Sequence, residues 1–161
     1  MTSELLAILH DVHERLTKTH QTVSVAESCT GGLLGAVLTD RPGSSSYFLG
    51  GIQAYANSVK EELLGVDRET LVSVGAVSEE VASAMAVGIQ RLTGSDWAVS
   101  TTGIAGPDGG TEEKPVGTVW VSVADSAGVF SQKLLLDGGR SEIRDRTVIE
   151  ALSMLLERLS H

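Results

Sequence analysis

The residues with the most chemical promise are Ala26-Glu27-Ser28-Cys29-Thr30-Gly31-Gly32, which follow the apolar stretch Thr22-Val23-Ser24-Val25. This layout predicts a strand whose carboxyl end delivers a hydroxyl and a thiol into a glycine-rich turn. The turn then opens a helix over Leu33 to Leu38. A nucleophile beside the unpaired N–H groups of a helix N-terminus has the setting to hold an oxyanion or a phosphate. An ordinary strand–turn–helix capped by Ser or Thr accounts for the same seven residues, and the segment alone does not choose. Side chains alternate along a strand, so only one of Ser28 and Cys29 is expected to face a crevice.

A second polar cluster is Tyr55-Ala56-Asn57-Ser58-Val59-Lys60. At helical spacing Asn57 and Lys60 share one side. A lysine serves as general base only when burial or nearby positive charge leaves it neutral. A Ser–Lys pair is one route to amide hydrolysis without histidine; a solvated helix lysine is the plain alternative. The third cluster runs from Thr101-Thr102-Gly103-Ile104-Ala105-Gly106-Pro107 through Gly110 to Lys114-Pro115. Its glycines let backbone N–H groups turn toward an anion. It matches neither the P-loop nor the G-x-G-x-x-G pattern. Arg140, Arg144 and Arg146 open the last helix, where positive charge opposes the dipole. Either an anionic ligand or ion pairs with Asp137, Glu142 or Asp145 would explain them.

Two other patterns lead nowhere. His10-Asp11-Val12-His13-Glu14 fits no zinc-protease motif, and three of the four histidines fall within residues 10 to 20, so a Ser-His-Asp triad has no evident base. A Glu27–Lys60–Cys29 triad is the thiol alternative, because Cys is the better intrinsic nucleophile.

Positioning these residues requires alternating elements. Leu5, Leu6, Ile8, Leu9, Val12 and Leu16 predict an amphipathic helix over residues 3 to 19. After the strand into Ser28 and its helix, a second strand spans Tyr47 to Ala54, with Gly50-Gly51 suggesting a bulge. Short helices follow at about 57 to 64 and 67 to 73. Ser78-Glu79-Glu80 caps a longer one to about Leu92. Asp96 to Thr101 reads as a strand, Val116 to Ala124 and Val129 to Leu136 as a hairpin, and Ser141 to Leu159 as a closing helix. The expected fold is α/β: a single three-layer α/β/α domain over residues 1 to 161 with a mixed sheet.

The chain has 161 residues and a net charge of −9. That charge, with aromatic residues at only 4%, argues against direct nucleic-acid contact and against anionic membranes. No apolar run reaches the roughly 20 residues of a membrane span, and the amino terminus lacks signal-peptide character, so a cytoplasmic location is expected. One cysteine excludes an internal disulfide and a multi-cysteine zinc site.

Together, the Ala26–Gly32 block, Tyr55-x-Asn57-x-x-Lys60, Gly75-Ala76-Val77-Ser78, Thr102-Gly103-Ile104-Ala105-Gly106-Pro107 and Glu113-Lys114-Pro115-Val116-Gly117-Thr118-Val119 resemble the CinA C-terminal-domain family. The resemblance runs in order from about Leu5 to the final helix, and the chain looks like the family's stand-alone form. It implies hydrolysis of nicotinamide mononucleotide to nicotinate mononucleotide and ammonia. Ser28 matches the family's nucleophile, Lys60 its general base, and Tyr55 and Thr102 hydroxyl residues lining the site. The expected substrate contacts are Asn57, Gly103, Ala105 and Gly106, with the phosphate on the Gly-rich loop or near Arg140 and Arg144. Backbone N–H groups at Thr30, Gly31 and Gly32 are expected to hold the oxyanion, and Cys29 to be packing. The resemblance implies no metal or cofactor, a small nucleotide as the ligand, and a homo-oligomer, with a dimer expected. One departure stands out: Gly138-Gly139-Arg140 replaces the family's usual Gly-Asp-Arg. The rival reading is a non-enzymatic nucleotide-binding module, or a partner in competence or recombination.

Overall fold

A computed structural model describes all 161 residues. Its elements are α1 (Ser3–Thr19), β1 (Val23–Glu27), α2 (Leu33–Thr39), β2 (Phe48–Gln53), α3 (Asn57–Leu64), α4 (Arg68–Val74), α5 (Glu79–Thr93), β3 (Trp97–Gly103), β4 (Thr118–Ala124), β5 (Val129–Leu135) and α6 (Arg140–Leu159). The five strands form one sheet in the order β2-β1-β3-β4-β5. β1 runs parallel to both β2 and β3, whereas β4 and β5 add antiparallel edges, so the sheet is mixed as expected.

Alternation along the strands builds two unlike faces. Val23, Val25, Val99, Val119, Val121 and Val123 point into the larger core, covered by α1, α2 and α6. Ala26, Ala98 and Ala124 point the other way, into a smaller core under α5. Small residues let that helix lie close to the sheet. Ser100 Oγ donates to Ala82 O of α5 at 2.6 Å, so the approach is also hydrogen-bonded. Helices on both faces give the three layers.

Local signals explain most boundaries. Thr2, Asp67 and Ser78 each cap a helix through a side-chain oxygen that accepts from a backbone N–H. The β1–β2 register skips Leu49, placing the irregularity beside Gly50-Gly51. β3 starts one residue later than expected because Asp96 serves the neighbouring strand: its carboxylate accepts from the N–H and hydroxyl of Thr22 at 2.8 and 2.9 Å. β3 also runs on to Gly103. Gly103 lies so close to β4 that an added Cβ would stand 2.6 Å from Val119 Cγ2.

The topology places the site. From β1 the chain goes to β2 on one side, then crosses to β3 on the other. Ligand crevices in α/β sheets form outside strand carboxyl ends where connections diverge in this way. Ser28 follows β1 directly, and the 104–117 loop follows β3.

Candidate active site

Ser28 is fixed through its main chain. Its N–H donates to Thr101 O at 2.9 Å, extending the β1–β3 pairing by one bond, and its carbonyl accepts from Gly31 N–H at 3.1 Å. Gly31 and Gly32, with φ of 58° and 99°, then turn the chain into α2, a conformation that side-chain-bearing residues rarely adopt.

Lys60, one turn into α3, is 1% exposed. Its Nζ lies 3.1 Å from Ser28 Oγ, 2.8 Å from Ala54 O and 3.2 Å from Tyr55 O. Burial pushes its pKa below the ordinary lysine range, since desolvation disfavours the ammonium. A neutral amine has two N–H donors and one lone pair. In the neutral form, with both protons given to the two carbonyls, the lone pair would be left for the serine hydroxyl. This geometry suits a general base.

Ser28, Cys29, Asn57, Lys60 and Thr102 line a cavity of about 290 Å³, together with the loop from Gly103 to Gly106. Both Ser28 and Cys29 contribute to its lining, but their side chains lie in different surroundings. What separates them is environment. The Cys29 side chain packs into the larger core, and burial, aided by the nearby Glu27 charge, pushes its thiol up to about 12. At neutral pH it is an inert thiol. The Glu27–Lys60–Cys29 triad is not assembled: the Glu27 carboxylate accepts from Thr30 Oγ1 and from the N–H groups of Gly32, Leu34 and Gly35, all on the α2 side.

That arrangement corrects the expected oxyanion donors. Gly31 N–H is held by Ser28 O and Gly32 N–H by Glu27, so neither is free for a ligand. The N–H groups of Cys29 and Thr30 donate to no other residue. Because Ser28 C=O is tied back into the turn, Cys29 N–H, on the opposite side of the same peptide plane, points away from it. Cys29 also lines the cavity, whereas Thr30 does not, so the Cys29 N–H is the candidate oxyanion donor.

The rim is more open. Tyr55 is 61% exposed, and its hydroxyl accepts from Arg140 Nη2 at 3.0 Å. Arg140 Nη1 donates to Gly106 O at 2.9 Å. Both partners are uncharged oxygens, so no carboxylate neutralises the guanidinium. The carboxylate that the family would place at position 139 is absent, and α6 is started instead by Glu142, which accepts from Gly139 N–H at 2.7 Å. Arg144 does different work. It donates to the carbonyls of Cys29 and Thr30 at 3.2 and 2.9 Å and so braces the turn from behind. Arg146 pairs with Glu4 and Glu150 away from the cavity. None of the three arginines pairs with Asp137, Glu142 or Asp145.

Thr102 Oγ1 donates to Ala76 O at 2.8 Å, so its hydroxyl ties the α4–α5 connection to the cavity wall. That connection contributes Ala76 and Val77 to the lining, which only the family pattern had flagged. Lys114 Nζ donates to Val74 O at 2.6 Å and straps the loop after β3 to the end of α4. The N–H groups of Ala105 and Gly106 have no acceptor within the protein, and both residues, themselves buried, line the cavity.

Comparison with known proteins places the fold and the family of the chain. The model of the CinA C-terminal domain matches residues 6–159. A CinA-like protein of Synechocystis is 57% identical over 86% of this chain, and a putative competence-damage inducible protein of Desulforudis audaxviator is 54% identical over 89%. The chain spans about a third of the length of these relatives, 34% and 35%. Among solved structures, the competence/damage inducible protein CihA from Agrobacterium tumefaciens superposes with a TM-score of 0.96 at 40% identity, covering 100% of this chain and 98% of that one. The competence damage-inducible protein A from Klebsiella pneumoniae gives 0.94 at 31% identity, covering 98% of each. This chain belongs to the CinA C-terminal-domain family.

Proposed function

We propose that the chain is a nicotinamide-nucleotide amidase, which hydrolyses the carboxamide of nicotinamide mononucleotide to nicotinate mononucleotide and ammonia. The observation that carries this reading is the 3.1 Å contact between a buried, charge-disfavoured lysine and Ser28 Oγ at the edge of a polar cavity. Neutral Lys60 takes the Ser28 proton as Oγ attacks the carboxamide carbon. Cys29 N–H stabilises the tetrahedral oxyanion, a contribution of roughly 3 kcal/mol for one such donor. Lys60 then passes its proton to the departing amine, which leaves as ammonia. A water deprotonated by Lys60 attacks the acyl-Ser28 ester, and the carboxylate product departs as Ser28 regains its proton.

The cavity, at about 290 Å³, is at the small end of ligand sites, which typically run about 300–1,000 Å³, and favours a mononucleotide over a larger cofactor. Arg140 at the rim and the N–H groups of Ala105 and Gly106 suit the phosphate. At contact range this local charge outweighs the chain's net charge of −9. Adding nicotinamide mononucleotide to the purified chain tests the reading: ammonia and nicotinate mononucleotide should appear in equal amounts. Nucleotide binding without ammonia would replace it with a non-enzymatic nucleotide-binding module, a reading that the competence-related names of the relatives keep in view.

A further inference from the structure

We propose that Glu27 is a positioning residue for Ser28: its buried carboxylate locks the Ser28–Gly32 turn to the first turn of α2, and so sets the geometry of nucleophile and oxyanion donor. The inference rests on the amidase reading above and concerns a residue that takes no part in the proton transfers described there.

Glu27 is 1% exposed, and no lysine or arginine pairs with it. A buried carboxylate in that position must be compensated by hydrogen bonds. It has four. Thr30 Oγ1, Gly32 N and Leu34 N converge on Oε2 at 2.6, 3.1 and 3.0 Å, and Gly35 N reaches Oε1 at 2.8 Å. Three of these donors are N–H groups at the start of α2, where a negative charge also meets the positive end of the helix dipole.

The consequences reach the nucleophile by two routes. Thr30 has one hydroxyl proton, and with that proton on Glu27 its oxygen accepts from Thr101 Oγ1, 2.7 Å away. Hydroxyl protons therefore run in one direction, Thr101 to Thr30 to Glu27. This ties the turn to β3, the strand whose Thr101 carbonyl holds Ser28 N–H. The second route is exclusion. With Gly32, Leu34 and Gly35 held by Glu27, the α2 N-terminus presents a carboxylate rather than free donors, so an anionic substrate group is turned away from it and toward the rim. Only the N–H groups of Cys29 and Thr30 remain unengaged by other residues in the turn. The side chain of Glu27 thereby selects which backbone donors the site keeps.

Glu27→Gln tests this because it keeps the shape but puts an NH2 where an acceptor stood. With nicotinamide mononucleotide as substrate, kcat is expected to fall by about 10- to 100-fold, the scale of a modest misplacement of reacting groups, with KM within about 2-fold. Amide hydrogens of Gly32, Leu34 and Gly35 should exchange faster than in the unaltered chain, while amides of α6 should not. In Glu27→Ala, millimolar formate should restore part of kcat saturably, and formate should do nothing to the unaltered enzyme. An unchanged kcat with unchanged exchange at the three amides would overturn the proposal. So would a raised KM at constant kcat, which would make Glu27 a substrate contact. If the unaltered chain releases no ammonia, the amidase reading fails separately. Exchange at Gly32, Leu34 and Gly35 in Glu27→Gln would then still decide whether this carboxylate holds the turn.

Discussion

The floor and the rim of the cavity are built on different physical terms. On the floor, Lys60 and Thr102 are each 1% exposed and Ser28 is 9% exposed. Their polar atoms are held within hydrogen-bond range by the main chain or by one another. On the rim, Tyr55 and Arg140 meet in water-accessible space, and Asn57 stands exposed at the start of α3. Burial on the floor discourages the charged form of Lys60, and three oxygens fix the position of its Nζ. On the rim, Arg140 is bonded to Gly106 O and Tyr55 Oη and can exchange these partners for an anion. Under the proposed function, chemistry is set inside and recognition is adjustable outside.

The sharpest way to break this comparison is at Lys60. Lys60→Met removes the proposed base, and kcat should fall by about 10²- to 10⁴-fold, the usual worth of general base catalysis, while nucleotide affinity measured by calorimetry changes little. A loss of affinity equal to the loss of rate would mean that floor and rim are not separable.

The pH dependence follows from the same group. As the proposed base Lys60 must be neutral to act, and burial lowers its folded pKa. The rate should therefore rise with pH through a single ionisation below the ordinary lysine range and then level. For stability the sign is as follows: the unfolded chain holds this proton more tightly than the folded one. Between the two pKa values, stability attributable to Lys60 rises with pH, and the penalty is fully present below the folded value. A rate that falls as pH rises through that window would contradict a neutral base.

Smaller effects are expected at the rim. Arg140→Ala should raise KM by about 10-fold, consistent with loss of one charged hydrogen bond, with kcat within about 3-fold. Steady-state kinetics on nicotinamide mononucleotide against its nucleoside would locate that loss at the phosphate, because the nucleoside should be indifferent to the change. The smallest effect is expected far from both regions: Glu61→Gln, which breaks the exposed ion pair with Arg68, should shift unfolding by less than about 0.5 kcal/mol.

How far the sequence spoke differs between the same two regions. That Ser28 and Lys60 belong to one cluster was legible, because their residue types and strand-end or helix placement carry chemistry and the ordered family blocks include both. The layered mixed sheet was legible from periodicity and turn residues. What holds Lys60 was not, since Ala54 O and Tyr55 O are main-chain atoms that any residues would supply. Arg144 read as an anion-binding candidate. Its carbonyl contacts to Cys29 and Thr30 lie more than 110 positions away in sequence, and no local pattern encodes them. The N–H groups of Gly31 and Gly32 looked free because a helix start normally has free donors. The acidic residue just before the turn, Glu27, was the available signal that they would be engaged. Its role became legible only once the turn placed its side chain under α2.

The central claim is that the Ser28 hydroxyl, not the adjacent Cys29 thiol, attacks the amide. Parallel measurement of ammonia release from nicotinamide mononucleotide by Ser28→Ala and Cys29→Ala tests it most directly. The account predicts that Ser28→Ala loses nearly all turnover while Cys29→Ala keeps kcat within a few fold. A Ser28→Ala enzyme that retains its rate, or a Cys29→Ala enzyme that alone loses it, would contradict the account.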